Sequence, residues 1–101
     1  MHMMFKMTIP VERGNATILD GSLAKAIEEI SKLIQPEASY FTALHGKRTA
    51  LFFFDMKDSS EIPAVSEIAF NALHAEVELL PVMSPDELRK GLGAWMASHT
   101  V

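Results

Sequence analysis

The segment Thr49 to Met56, T-A-L-F-F-F-D-M, limits what this chain can fold into more than any other stretch. Its centre, Ala50 to Phe54, is an uninterrupted apolar run with three consecutive phenylalanines. In extended backbone, successive side chains point to opposite faces of a sheet. Ala50, Phe52, Phe54 and Met56 therefore share one face, and Leu51 and Phe53 take the other. A strand apolar on both faces belongs inside a sheet and needs cover on both sides. The run is far too short to cross a membrane, which takes about 20 apolar residues.

The neighbouring segments read as partners for that strand. Residues 3 to 11 alternate, with Phe5, Met7, Ile9 and Val11 on one face and Met4, Lys6, Thr8 and Pro10 on the other, which is the period of a strand. Pro10 lacks an N–H and should end the ladder. Residues 38 to 44 set Tyr40, Thr42 and Leu44 against Ser39, Phe41 and Ala43. His45-Gly46 then turns the chain straight into the phenylalanine strand, so the two form an antiparallel hairpin. A fourth strand is expected over residues 75 to 83, with Val77 and Leu79 on one face and Glu76, Glu78 and Leu80 on the other. Pro81 makes it an edge strand.

Helical periods lie between these strands. Leu23, Ile27, Ile30 and Ile34 recur at i, i+4, i+7 and i+11, which predicts an amphipathic helix capped by Ser22 and stopped at Gln35-Pro36. Lys25, Glu28, Glu29 and Lys32 line its solvated side, with Glu28 and Lys32 in the favourable i,i+4 order. Residues 12 to 21 are polar and carry Gly14 and Gly21. This spacing predicts a functional loop or an extra helical turn, with Asn15 and Asp20 as capping groups. A second helix follows the turn at Asp58 to Ser60, with Pro63 in its first turn and Val65, Ile68, Ala69 and Ala72 toward the core. Ser84-Pro85-Asp86-Glu87 starts a terminal helix. Its stripe is Leu88, Leu92, Trp95 and Met96, and Gly91 and Gly93 weaken it by about 1 kcal/mol each.

The order is β-α-β-β-α-β followed by a helix. Right-handed crossovers around an adjacent hairpin give an α+β fold, a ferredoxin-like sandwich with an antiparallel sheet in the order 4-1-3-2. A chain of 101 residues makes this one domain, 1–101. Two crossover helices cover only one face of such a sheet. Leaving Phe-sized groups wet on the other forfeits roughly 2 kcal/mol each. A single glycine-weakened helix is a poor cover for a whole sheet. The expected partner is a second copy, packed through the helix-free sheet face as an isologous C2 homodimer.

Several stretches match a known pattern: Ile9-Pro10-Val11-Glu12, Gly14-Asn15, Asp20-Gly21-Ser22-Leu23, Pro36-Glu37-Ala38 with Tyr40-Phe41, Arg48-Thr49-Ala50, Ile62-Pro63, and Ala75-Glu76-Val77-Glu78 leading to Pro81-Val82-Met83. On these the chain resembles the dimeric α/β-barrel superfamily of small ferredoxin-like proteins, and within it an uncharacterised group of short bacterial proteins. The resemblance implies a dimeric α/β barrel. It leaves the activity open, since members include isomerases, monooxygenases, haem-degrading enzymes and proteins without a known reaction.

Composition removes several function classes. The net charge is -4, without the basic footprint of a nucleic-acid binder or a polybasic membrane-surface segment. There are no cysteines, which excludes disulfides, zinc thiolate sites and cysteine nucleophiles. Met1 to Met7 has neither the long apolar stretch nor the cleavage site of a signal peptide, so the expected compartment is the cytoplasm.

No cofactor and no metal site is expected. His2, His45, His74 and His99 show no metal-ligand spacing. His74, near the end of the second helix, resembles the haem-degrading branch. That branch also relies on an asparagine in its first strand and a tryptophan on the same helix. Here the first strand offers Lys6, Met7 and Thr8, and the one tryptophan is Trp95. The serines lack a nucleophile elbow. The candidate ligand-binding set is Tyr40, Arg48, Asp55 and Asn15. Tyr40 and Arg48 lie on the two arms of the hairpin, and beside phenylalanines they suit a small anionic aromatic ligand, because guanidinium pairs with carboxylate. In the structural alternative Arg48 pairs with a carboxylate at a dimer rim and Tyr40 fills core. Two functions follow. One is a homodimer that binds a small apolar or aromatic ligand. The other is a cofactor-independent isomerase or monooxygenase acting on a small aromatic or lactone substrate, which requires titratable groups within hydrogen-bond reach.

Overall fold

In the computed structural model, which describes residues 1–99, the phenylalanine run is an interior strand. The elements are β1 (His2–Ile9), α1 (Val11–Asp20), α2 (Ser22–Ile34), β2 (Ala38–Leu44), β3 (Lys47–Asp55), α3 (Glu61–Leu73), β4 (Glu76–Pro81) and α4 (Pro85–His99). The four strands form one antiparallel sheet in the order β2-β3-β1-β4. This is the expected 4-1-3-2 order read from the other edge, and the α+β arrangement is compatible with a ferredoxin-like fold. β4, with its proline, is an edge strand, and β2 is the other edge.

Alternation places the core. Met3, Phe5, Met7 and Ile9 of β1 and Ala50, Phe52 and Phe54 of β3 point to the same side and are buried. Phe5 lies directly opposite Phe52, their ring centres 6.0 Å apart. Ala26, Ile30 and Ile34 of α2 and Val65, Ala69 and Leu73 of α3 close over them. Both helices present their apolar stripe at helical spacing, so this face is packed over β1 and β3, while β2 stays largely exposed.

The hairpin turn follows from its two residues. His45 (φ 54°) and Gly46 (φ 76°) are both left-handed, the conformation of a tight two-residue hairpin whose twist matches the strands. Leu44 consequently pairs with Lys47, Ala43 with Arg48 and Tyr40 with Leu51.

Residues 11–20 form a ten-residue helix, more than the loop or single turn their composition suggests. Long-range contacts hold it in place. Gly14 is buried beneath the Arg48 guanidinium, where a Cβ would stand 2.6 Å from Nη1. Arg13 donates from Nε and Nη2 to the Ala72 carbonyl near the end of α3, at 3.1 and 2.9 Å. Thr17 is buried and satisfies its hydroxyl on the Arg13 carbonyl at 2.8 Å. β1 ends at Ile9, so the ladder stops at Pro10 as expected, but Val11 opens α1 instead of extending the strand, with Pro10 at the N-cap. Ser22 begins α2 instead of capping it. Its backbone N–H and hydroxyl both donate to Asp20 Oδ1, at 2.8 and 2.6 Å, and Gly21 (φ 82°) makes the bend. At the other end Gln35 turns left-handed (φ 48°) and donates its N–H to the Ser31 carbonyl at 3.0 Å.

α4 behaves differently. Ser84 and Glu87 form a reciprocal cap, with Ser84 N–H to Glu87 Oε1 at 2.9 Å and Glu87 N–H to Ser84 Oγ at 3.2 Å. Yet none of its described residues is buried. The molecule measures 62 × 28 × 18 Å with a radius of gyration of 16.7 Å, against about 13 Å for a compact chain of this length. α4 projects from the sheet as an arm. No helix among the described residues is long and apolar enough to cross a membrane.

Candidate functional site

The face of the sheet opposite α2 and α3 is open, and its composition changes along the strands. Cross-strand pairing builds it in rows. At one end Leu80, Met4, Phe53 and Ala38 align across β4, β1, β3 and β2. The next row is Glu78, Lys6, Leu51 and Tyr40, and the next Glu76, Thr8, Thr49 and Thr42. An apolar end therefore grades into a polar end within a few residues. Tyr40 stands edge-on to Phe53 with ring centres 6.4 Å apart.

The polar end is concave. Lys6, Thr8, His45, Lys47, Glu76 and Glu78 line a cup of about 480 Å³. The rim of the hairpin forms one wall and the β4 edge the other. Lys6 Nζ lies 3.3 Å from Glu78 Oε2, and the Lys6 side chain is only 23% exposed. Thr49, opposite Thr8 in the same row, is buried and donates its hydroxyl to the Lys47 carbonyl at 3.2 Å. Two cations, two carboxylates and an imidazole thus surround one depression. Such a set can hold a polar head group or move a proton, while the adjoining Leu51, Tyr40 and Phe53, from two neighbouring rows, offer an apolar bed.

The four residues singled out in the sequence do not form one site. Tyr40 is on the open face beside Leu51. Arg48 points to the opposite face, because it pairs with Ala43 and alternates with Thr49. Arg48 and Asn15 do meet, with Arg48 Nη2 donating to Asn15 Oδ1 at 3.0 Å. This contact ties β3 to α1 and borders an apolar cleft of about 330 Å³ lined by Ile9, Leu23, Ile27 and Phe41. Asp55 lies at the other end of β3. The Met1 amine and Lys57 Nζ bind its two oxygens at 2.7 and 2.9 Å. These hydrogen bonds, the amine's first, hold its carboxyl down at about 2.

Lys6, Glu76 and Glu78 were missed as a group. Their shared face was readable from alternation within each strand, but joining β1 to β4 requires the topology. Among the described residues no three His, Asp or Glu side chains gather where they could ligate a metal ion. No buried side-chain nitrogen or oxygen among them lacks a partner. Comparison with protein-family models, with curated proteins and with solved structures returned no match.

Proposed function

We propose that this chain is the protomer of a homodimer of the dimeric α/β-barrel type, in which two helix-free sheet faces meet and enclose a small molecule with an apolar or aromatic body. One observation carries the reading: the open face bears Met4, Leu51, Phe53, Tyr40 and Leu80, and among the described residues no helix is laid across it. Leaving that face wet forfeits roughly 1 kcal/mol for each half-exposed large side chain. A second copy removes it from water by a closed two-fold operation. The cup at the polar end would then lie inside the barrel, with Tyr40 and Lys6 nearest the ligand. The cysteine-free, acidic composition fits the reducing cytoplasm and a small molecule rather than nucleic acid as partner.

Sedimentation equilibrium tests this. The wild type should show twice the 11.2 kDa chain mass, and Phe53→Glu should show a folded single chain. A wild type that stays at one chain mass at every concentration overturns the reading.

A second reading rests on the Lys6–Glu78 pair. Two titratable groups 3.3 Å apart at the wall of a cup meet the minimum for proton transfer. They favour a cofactor-independent isomerase or monooxygenase acting on a small aromatic or lactone substrate. Turnover of such substrates that Glu78→Gln abolishes, with the dimer intact, would select it over plain binding.

A further inference from the structure

α4 carries a second unpartnered apolar surface, and the protomer holds a cleft that fits it. Leu88, Leu92, Trp95 and Met96 stand at i, i+4, i+7 and i+8 on one side of the helix, each about half exposed. Asp86, Glu87 and Lys90 take the other side. A fifteen-residue helix with glycines at 91 and 93 is marginal alone in water, so its stripe calls for a receptor. The apolar cleft between α2 and the β2 edge is a suitable one. Leu23, Ile27, Ile9 and Phe41 line it, and Phe41 is 58% exposed.

α4 does not fill the cleft of its own chain, since none of its described residues is buried and Phe41 stays exposed. It leaves from the β4 edge, where the Val82 N–H is fixed to the His2 carbonyl at 3.0 Å. The cleft lies at the opposite edge, about 14 Å across three strand spacings. It also lies toward the opposite strand end, near Ile9 and Arg48, and opens on the helix-covered side. Only Val82, Met83 and Ser84 link β4 to the helix.

We infer that α4 is an exchanged arm, which seats Trp95 and Met96 in the α2–β2 cleft of a second copy of this chain. The inference rests on the homodimer proposed above and adds a second, separate contact to it. The area agrees with what a dimer needs. Five large side chains from Met83 to Met96, between 45% and 67% exposed, offer roughly 500 Å² per arm, and two arms with the surfaces beneath them bury on the order of 2,000 Å², the size of a stable interface. Exchange through a two-fold axis is reciprocal, so it closes and leaves no free arm to build a filament.

The chain offers two clean probes. Trp95 is its single tryptophan, and it has no cysteine. With an exchanged arm, Trp95 emission shifts to the blue as concentration drives association and returns to the red on dilution. Met96→Cys protein mixed with Leu23→Cys protein gives a disulfide-linked pair on mild oxidation, whereas Met96→Cys mixed with Lys32→Cys, on the far side of α2, does not. A dimer by sedimentation, with red Trp95 emission and no disulfide between the Met96→Cys and Leu23→Cys chains, overturns the arm and leaves the sheet pairing standing. A blue shift with linkage to Lys32→Cys, and none to Leu23→Cys, overturns the cleft as receptor. A chain that stays single at every concentration overturns both the arm and the dimer.

Discussion

Phe52 and Phe53 are adjacent and chemically identical, and the structure gives them opposite energetic roles. Phe52 is fully buried. Its ring lies 6.0 Å from Phe5 and 5.9 Å from Phe41, the latter edge-on at 89°. Truncation to alanine opens a cavity between the sheet and α2 and α3, which costs about 3–5 kcal/mol. A chain of this size has about 5–15 kcal/mol in total. With a urea m value of about 1–3 kcal/mol/M, the midpoint falls by roughly 2 M. Phe53 is half-buried on the open face and meets the Tyr40 ring edge, so Phe53→Ala costs the separated protomer about 1 kcal/mol. Concentration separates the two further. A hundredfold rise in protein above the dissociation constant adds about 2.7 kcal/mol to a dimer. The wild type and Phe52→Ala should gain that increment, and Phe53→Glu should not. The assay is urea unfolding followed by circular dichroism at low and high protein concentration. Equal losses for Phe52→Ala and Phe53→Ala at low concentration would refute the face assignment. A wild-type midpoint independent of concentration would refute the partner.

Three further outcomes follow from particular contacts. Asp55 titrates at about 2 because the Met1 amine and then Lys57 hold its charged form. Its contribution is complete above the unfolded carboxylate value near 4 and is lost as pH falls toward 2. Asp55→Asn should therefore show a flatter fall of urea midpoint between those pH values than the wild type, and parallel curves would refute the pairing. His74 closes α3 in a left-handed conformation (φ 53°), which costs an L-residue about 1 kcal/mol. His74→Gly should raise the melting temperature by several degrees, and a lower value would show that its ring has a structural task. Arg13→Ala removes two hydrogen bonds to the Ala72 carbonyl and should cost about 1.5–3 kcal/mol. Amide exchange should then speed up in residues 11–20 before the rest of the chain.

What could be read from the sequence depended on whether the stabilising contact was local. β3 was legible because period-two alternation of apolar groups is a property of the strand itself. The capping box of α4 was legible because Ser84 and Glu87 are three residues apart. α1 was not legible. Gly14, Asn15 and Thr17 are weak helix formers, and what fixes them is Arg48 over Gly14 and Arg13 on Ala72, contacts of more than thirty residues' separation. The pairing of Tyr40 with Arg48 failed for a reason of parity. A two-residue turn at His45-Gly46 sets Leu44 against Lys47, so even-numbered residues of β2 share a face with odd-numbered residues of β3. The same parity gathers Lys6, Glu78 and Tyr40 on the open face, where the candidate site lies.

That face and the arm pose one packing problem. Each exposes apolar surface that its own chain does not cover, and each lies beside a feature the other could use. A monomeric solution would fold α4 back over the open face. α4 projects away from the sheet instead, and the arm extends the molecule to 62 Å. Folding back would also cover the Lys6–Glu78 cup with Leu, Met and Trp, setting apolar groups on charges that carry a large desolvation cost. The proposed second copy would avoid that conflict, because its sheet would bring the same polar end, leaving room for water or a ligand in the two cups while the apolar rows meet. Charged groups are costly in a solid interface and tolerable around a cavity. In the proposed dimer the Lys6, Glu76 and Glu78 side chains favour a chamber over a filled core.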